Sequence, residues 1–386
     1  MLKRGVLLIG FLSTFSLSLA QHHEAAAETK PATETKVVSA EEAEKEQIKK
    51  ENKEFIDHHL LDAHSFDIMV EKKADGTEHH IGFPLPVIFY DEANGLHAFM
   101  SSEFHHGKEM KDAHGKKYNV VESKGANYAL YHEKIVKTDA SGAITLDDHG
   151  HATNAKVLDL SITKSVLMIL CASLLMIVIF GSMARNYKKS PIPTGAGKLF
   201  EPLVIFIRDE IAIPNIGPKY HKYISYLLTI FFFILFLNVF GLLPFGINVT
   251  GNLAITAALA IFTFIITQFT ANRNYWQHIF WMPGLPFLMK LVMIPIELIG
   301  MIIKPFALLI RLFANMSAGH IVIMSLIAMI YYFQNVIAGV AFPFLTFVLY
   351  LLEILVAFLQ AYIFTMLSAV YFGMANEEHH HEEAHH

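Results

Sequence analysis

Four charged residues, Lys290, Glu297, Lys304 and Arg311, recur every seven positions through one apolar stretch. At 100° per residue, seven steps fall 20° short of two turns, so a helix sets all four on one slowly drifting face. Asn315 extends that face one turn beyond Arg311. Arg311 dominates the chemistry. A guanidinium stays protonated in proteins, and holding one at a bilayer centre costs from roughly 3 to more than 10 kcal/mol. A chain that keeps such a group turns it toward a partner charge or a water-filled path. Two readings stand at this point: a structural Arg paired to an internal carboxylate, and a functional charge facing a wet groove or a moving partner.

His320 follows Arg311 by nine residues, which turns it to the opposite side of a helix and carries it about 13 Å along the axis. It therefore serves a different place. The next apolar segment supplies Glu353, its one carboxylate. If the two segments run antiparallel, His320 and Glu353 become neighbours, and an imidazole beside a carboxylate can relay protons. Gln360 lies seven residues beyond Glu353, on the same face, where it can pack near Arg311. The pattern is two polar regions, Glu297 with Lys304 and His320 with Glu353, with a permanent positive charge between them. A proton entering either region is repelled at Arg311. A mobile external carboxylate can bridge them by accepting the proton from one half and releasing it into the other, passing Arg311 only when ionised.

The elements that carry these residues are apolar helices. Hydrophobic residues make up 53% of the 386, and charge is sparse in the C-terminal half, which excludes an ordinary soluble enzyme and indicates a polytopic membrane protein. Residues 165–184, 223–245 and 253–271 are free of charge and long enough to span. Gly246 and Gly251-Asn252 mark a tight hairpin between the second and third. Two longer segments follow, 287–332 and 342–374. As a single helix the first would be roughly 70 Å long, more than twice the bilayer core. Each is either two spans or one steeply inclined helix. The internal prolines, Pro295, Pro305 and Pro343, fall in the first half of their segments and no polar loop interrupts either, which favours long tilted helices. Residues 197–212 alternate apolar and charged positions at helical spacing. They predict an amphipathic helix on the membrane surface or one docked on a partner.

Lys and Arg set orientation. Arg185, Lys188, Lys189, Lys198, Arg208, Lys219 and Lys222 fall in one loop, which places it in the cytoplasm, and Arg273 and Lys290 flank the next inside loop. Loops 246–252 and 333–341 carry neither residue. Residues 1–20 read as a signal peptide, with Lys3 and Arg4 before an apolar core and Ser18-Leu19-Ala20 as the cleavage site. Residues 21–54 are a charged linker with too little apolar surface to build a core. Residues 55–158 contain short apolar runs (81–90, 118–121, 128–131 and 143–146) separated by turn residues, which predict a small β-rich periplasmic domain. Residues 159–376 form the membrane domain, and 377–386 a disordered His/Glu-rich tail with the C-terminus in the cytoplasm. The fold class expected is all-α and polytopic in a cell inner membrane, with five membrane helices, an amphipathic interfacial helix and an added β-rich N-terminal domain.

The single cysteine, Cys171, offers no disulfide and no thiolate cluster. Many of the 22 histidines fall in pairs, such as His22-His23 and His105-His106, that lack a recognised ligand spacing, so a solvated polar surface explains them better than a metal site. No cofactor, metal or nucleotide-binding loop is expected.

The motifs Arg311-Leu-Phe-Ala-Asn315-Met-x-Ala-Gly-His320, Glu353-(x)6-Gln360-Ala-x-Ile-Phe and Ala375-Asn-Glu-Glu resemble those of subunit a of bacterial F-type ATP synthases, over about residues 155–378. The resemblance implies a non-catalytic stator subunit of the membrane sector. Such a subunit cups a ring of c subunits, offers two offset proton half-channels, and couples ion flow to ring rotation and ATP synthesis. It implies as partners the c-ring carboxylate facing Arg311, subunit b of the stator stalk, the other synthase subunits and membrane lipid, with no nucleic acid. Arg311 matches the family's essential arginine, Asn315 its nearby asparagine, Gln360 the glutamine on the neighbouring helix, and Glu297 a polar position of the cytoplasmic half-channel. In some bacteria the position of His320 holds Glu and that of Glu353 holds His. The exchanged pair, as in mitochondrial members, supports contact between the two positions. Ala314 stands where Gly is commoner. A secondary transporter whose Arg311 binds an anionic substrate is the competing reading from another class, but the internal repeats and broken midplane helices of such proteins are missing from the sequence.

Overall fold

The computed structural model describes residues 62–72, 78–112, 117–147, 152–190, 192–243, 247–281, 286–333 and 336–377. The signal-peptide and linker assignments, and nearly all of the tail, lie outside them.

The N-terminal part is β-rich. Strands β1 (Ser65–Lys72) and β2 (Glu78–Pro84) form an antiparallel hairpin. Strands β3 (Pro86–Asp91) and β4 (Gly95–Met100) pair next. A helical turn at Ser102–His105 leads into a meander of β5 (Lys108–Lys111), β6 (Lys117–Ser123), β7 (Ala126–Tyr131) and β8 (Lys134–Lys137). β9 (Leu158–Asp159) returns to pair with β3, giving the order β4-β3-β9. Period-2 alternation shapes the core: Val87 and Phe89 turn inward while their neighbours turn out, and they meet Phe104, Val121, Tyr128 and Ile135. Of the expected apolar runs, 81–90 breaks at Leu85 into two strands. Residues 143–146 are irregular apart from a bridge between Leu146 and Ala152.

Buried polar groups join the three- and four-stranded sheets. The Tyr128 hydroxyl donates to Asp91 Oδ2 at 2.8 Å, and Lys137 Nζ donates to the same oxygen at 2.8 Å. The Lys137 bond, helped by Tyr128, outweighs the penalty of burial and holds the Asp91 carboxyl at about 2. His97 on β4 shares a 2.9 Å hydrogen bond with Ser123 on β6.

A second cluster joins this domain to the helices. His64 is 2% exposed, with Nε2 2.8 Å from Asp159 Oδ2 and Nδ1 3.5 Å from Glu133 Oε2. Two residues earlier, Asp62 accepts hydrogen bonds from the Thr163 hydroxyl (2.9 Å) and the Ser165 backbone N–H (3.1 Å). Both ends of the domain are thus fastened at the start of α1 (Lys164–Tyr187), whose N-cap is Thr163.

The longer helices that follow are α2 (Gly197–Phe206), α3 (Ile224–Leu242), α4 (Leu253–Thr270), α5 (Arg273–Phe280), α6 (Phe287–Phe333) and α7 (Val336–Asn376). Among the described residues five helices, α1, α3, α4, α6 and α7, are long and apolar enough to cross a membrane. α6 and α7 run through Pro295, Pro305 and Pro343. The expected amphipathic helix is α-helical only to Phe206 and continues as wider π-helical turns, Ile207–Ala212, which bury Ile207, Ile211 and Ala212. α3 sits at the centre, with Leu227, Phe231, Phe232, Ile234 and Leu237 buried.

Burial acts to lower the pKa of His64, but its bonds to Asp159 and Glu133 and their charges outweigh it and push the value up to about 9. A raised pKa contributes stability that is complete below the unfolded value near 6.5 and is lost as pH rises through about 9. The expected loss is on the order of 3 kcal/mol. Thermal unfolding of the purified chain at pH 6.5 and 9.5 should show this decline, and His64→Gln should remove most of the difference.

Candidate functional site

The site is built on α6 and α7 and set by α3. On α6, Leu308, Leu312 and Met316 recur at i, i+4, i+8 and are buried, at 1–2% exposed, in the helical core. Burying that stripe leaves Arg311 and Asn315 on the exposed surface of the helix. Glu297, Lys304 and His320 are half-buried. Among the described residues, the Arg311 guanidinium has no hydrogen-bond or ion-pair partner, and it stands among exposed apolar neighbours such as Ile303, Phe306 and Ile310. The structural alternative, pairing to an internal carboxylate, is not formed within these residues.

On α7 the inner stripe runs through Glu353, Ala357, Gln360, Ala361 and Phe364, all buried. Glu353 is the deeply placed acid, with its Oε2 buried and without a hydrogen-bond partner among the described residues. It packs against Gly319, so tightly that a Cβ built there would lie 2.5 Å from Glu353 Oε1. Gly319 immediately precedes His320. The structure therefore brings Glu353 to the His320 region of α6, as antiparallel packing predicts. Gln360 lies two turns further along the same stripe.

Amide side chains fix the register. Asn238 on α3 is fully buried; its Nδ2 donates to Ala357 O on α7 at 3.0 Å, and its Oδ1 accepts from the Thr250 hydroxyl at 2.9 Å. Thr250 belongs to a 3-10 turn, Val249–Gly251, preceded by Asn248. Asn248 Nδ2 donates to Met316 O at 2.9 Å, and the Ser317 hydroxyl to Gly251 O at 3.2 Å. The Tyr350 hydroxyl donates to Leu242 O at the end of α3. At the other end of α7, Asn376 Nδ2 donates to the Tyr223 hydroxyl at 2.6 Å, and the Asn272 backbone N–H to Ala375 O at 2.8 Å. The Ala375-Asn motif is thereby tied to the start of both α3 and α5. Sequence reasoning missed Asn238 and Gly319. An amide in a charge-free span is a signal for the first, whereas the second becomes visible only when Glu353 packs on it.

Lys304 opens onto a small crevice between α4, α5, α6 and α7. Thr263, Thr267, Gln268, Tyr275 and Tyr371 line it, and Lys304 Nζ lies 5.7 Å from the centre of the Tyr371 ring. Glu297 lies two turns before Lys304 on α6. The polar positions thus form two groups, one around Lys304 and one around Glu353, with the bare guanidinium between them along the helix. Among the described residues, no group of His, Cys, Asp and Glu is placed to hold a metal ion.

Comparison with known proteins follows the same division. A family model described as ATP synthase A chain matches residues 166–373. A domain of unknown function (DUF8433) matches residues 55–160. ATP synthase subunit a of Chlorobium phaeobacteroides strain BS1 is 40% identical over 325 residues, covering 79% of this chain and 93% of the relative. ATP synthase subunit a of Chloroherpeton thalassium is 49% identical over 238 residues, covering 59% of this chain and 70% of the relative. ATP synthase subunit a 2 of Chlorobaculum tepidum is 48% identical over 227 residues, covering 56% of this chain and 64% of the relative.

The Gly319–Glu353 contact can be tested without reference to activity. Gly319→Ala should force the Glu353 carboxylate to move, a cost that offsets part or all of the roughly 1 kcal/mol that Ala gains over Gly inside a helix. In a Glu353→Ala background that cost should disappear. Thermal melting of the four proteins of this double-mutant cycle measures the coupling.

Proposed function

The chain belongs to the ATP synthase A chain family, and on that premise we propose that it is the proton-translocating stator subunit of a rotary synthase, with Arg311 as the barrier between two half-channels. The observation that carries this reading is the exposed, unpaired Arg311 on an apolar spanning helix. A permanent charge costs too much in that setting to stay without a partner, and a carboxylate on a moving ring of c subunits supplies one intermittently. The subunit itself is non-catalytic.

Glu297 and Lys304, with the crevice beside them, form the cytoplasmic half-channel. His320 and Glu353 form the opposite one. A proton arriving by one half neutralises the ring carboxylate, which then rotates through lipid. It leaves by the other half when the carboxylate ionises and meets Arg311. Asn315 on the same helix and Gln360 on the neighbouring one take the places of the family's asparagine and glutamine, ready to bond the guanidinium when the ring carboxylate reaches it. Each proton falling through 100 mV yields about 2.3 kcal/mol, and several are needed per ATP, so a leak past Arg311 would dissipate the coupling. Subunit b and the remaining synthase subunits hold the chain against rotation. The N-terminal domain lies in the periplasm and the C-terminus in the cytoplasm of an inner-membrane protein.

ATP-driven proton pumping in inverted vesicles tests this, with assembly of the complex checked in every variant. Arg311→Ala should abolish pumping in an assembled complex. Arg311→Lys should fail as well, because an ammonium can release its proton and a guanidinium does not. Glu353→Ala and His320→Ala should slow pumping without uncoupling it. Normal pumping by Arg311→Ala would refute the barrier role.

A further inference from the structure

The outer face of the β4-β3-β9 sheet is apolar throughout. In the ladder Tyr90 lies between Leu96 and Leu158. The backbone N–H of Leu160 donates to Ile88 O, which carries the register onward and sets Leu160 and Ala98 on either side of Ile88. The third row pairs Pro86 with Met100, and the Ile162 backbone N–H donates to Pro86 O. The alternate positions Val87, Phe89 and His97 turn into the core. The outward positions remain open: Leu158 is 61% exposed, Leu160 57%, Leu96 54%, Tyr90 45% and Met100 42%. Contiguous apolar surface of this kind on an extramembrane domain marks an interaction site rather than scattered surface residues.

We propose that this face rests on the lipid surface and lays the N-terminal domain against the bilayer. Position identifies the occupant. The lowest row ends at Ile162, two residues before α1 begins at Lys164, and α1 resumes exposed apolar residues at Val166 and Leu170. Along the chain the apolar surface of the sheet therefore runs into a spanning helix that exposes most of its own surface. The fastening of Asp62 and His64 to Thr163, Ser165 and Asp159 keeps the domain at that helix start. Phe66 of β1 also packs on the helical core, stacked on Phe83 of β2 at 4.6 Å, which holds the domain down from a second point. Lipid is the apolar phase already present at this height. A flat sheet can insert side chains to a depth of about 5–10 Å while its backbone stays paired in the ladder, so no polar group need be buried unpaired. Tyr90 is suited to that layer, with an apolar ring and a hydroxyl for the headgroups.

Spin-label accessibility in the full-length chain tests this. The protein is purified with its accompanying subunits and reconstituted into phosphatidylethanolamine–phosphatidylglycerol vesicles. In a Cys171→Ser background, Ala98→Cys and Leu160→Cys report on the face; Ala98→Cys is nearly isosteric and guards against misfolding. Leu174→Cys on α1 is the lipid-facing reference and Glu122→Cys on β6 the water-facing one. The expected result at residues 98 and 160 is several-fold preferential collision with oxygen over a water-soluble nickel chelate, as at residue 174. Preferential collision with nickel, as at residue 122, would overturn the proposal by showing a solvated face. Shielding from both reagents would overturn it too, because a protein partner or a second copy would then cover the sheet. None of these outcomes depends on the proton path.

Discussion

The structure hangs on one buried amide. Asn238 sits in a span that is otherwise free of hydrogen-bonding side chains from Ile230 to Leu242, and it is fully buried. In an apolar surrounding its polar atoms must be satisfied by protein, and they are, by Ala357 O on one side and the Thr250 hydroxyl on the other. The first bond sets α7 against α3. The second holds the short turn whose Asn248 and Gly251 bind Met316 and Ser317 of α6. Interhelical bonds of this kind are worth about 0.6–2 kcal/mol each, so their value lies less in stability than in register. Shape packing of Leu, Phe and Ile alone would tolerate a slip of α6 along α7. A slip of one residue would turn Glu353 away from Gly319.

Much of this was legible in the sequence. The five spans follow from length and apolarity, and the seven-residue recurrence of Lys290, Glu297, Lys304 and Arg311 lies on a helix in the structure. The juxtaposition of α6 and α7 near His320 followed from an isolated histidine in one segment and an isolated acid in the next. What escaped was whatever depends on a third element. The α5 helix, Arg273–Phe280, is too short for a periodic signal. The crevice beside Lys304 takes its lining from four helices, and Gln268 or Tyr275 alone carries no mark of it. The widening of α2 into π-helical turns leaves no mark in the pattern, because Ile207 and Ile211, four residues apart, share a face of an ordinary α-helix as well.

The N-terminal domain repeats the same physics. Its three- and four-stranded sheets meet through the apolar cluster around Phe89 and Tyr128 and through the bonds of Asp91 to Lys137 and Tyr128, and its two ends close on each other through charged and capping groups at the first span. A domain fastened at entry and exit adds little conformational freedom to the helix it precedes. The family core and the added domain are thus joined by a short, heavily bonded junction rather than by a free linker.

The length of α6 has a geometric consequence. Its apolar span of 43 residues is about 65 Å long, whereas the hydrocarbon layer is about 30 Å thick. A straight helix of that length held within the layer leans about 60° from the normal. Distance along such a helix is converted mostly into distance sideways. The nine residues from Arg311 to His320 then amount to about 12 Å of lateral travel and only about 7 Å of depth. Two groups on one rod come to occupy different places on the map of the membrane, not merely different levels. No straight line along the membrane normal joins them, and the separation between them is mostly one across the plane.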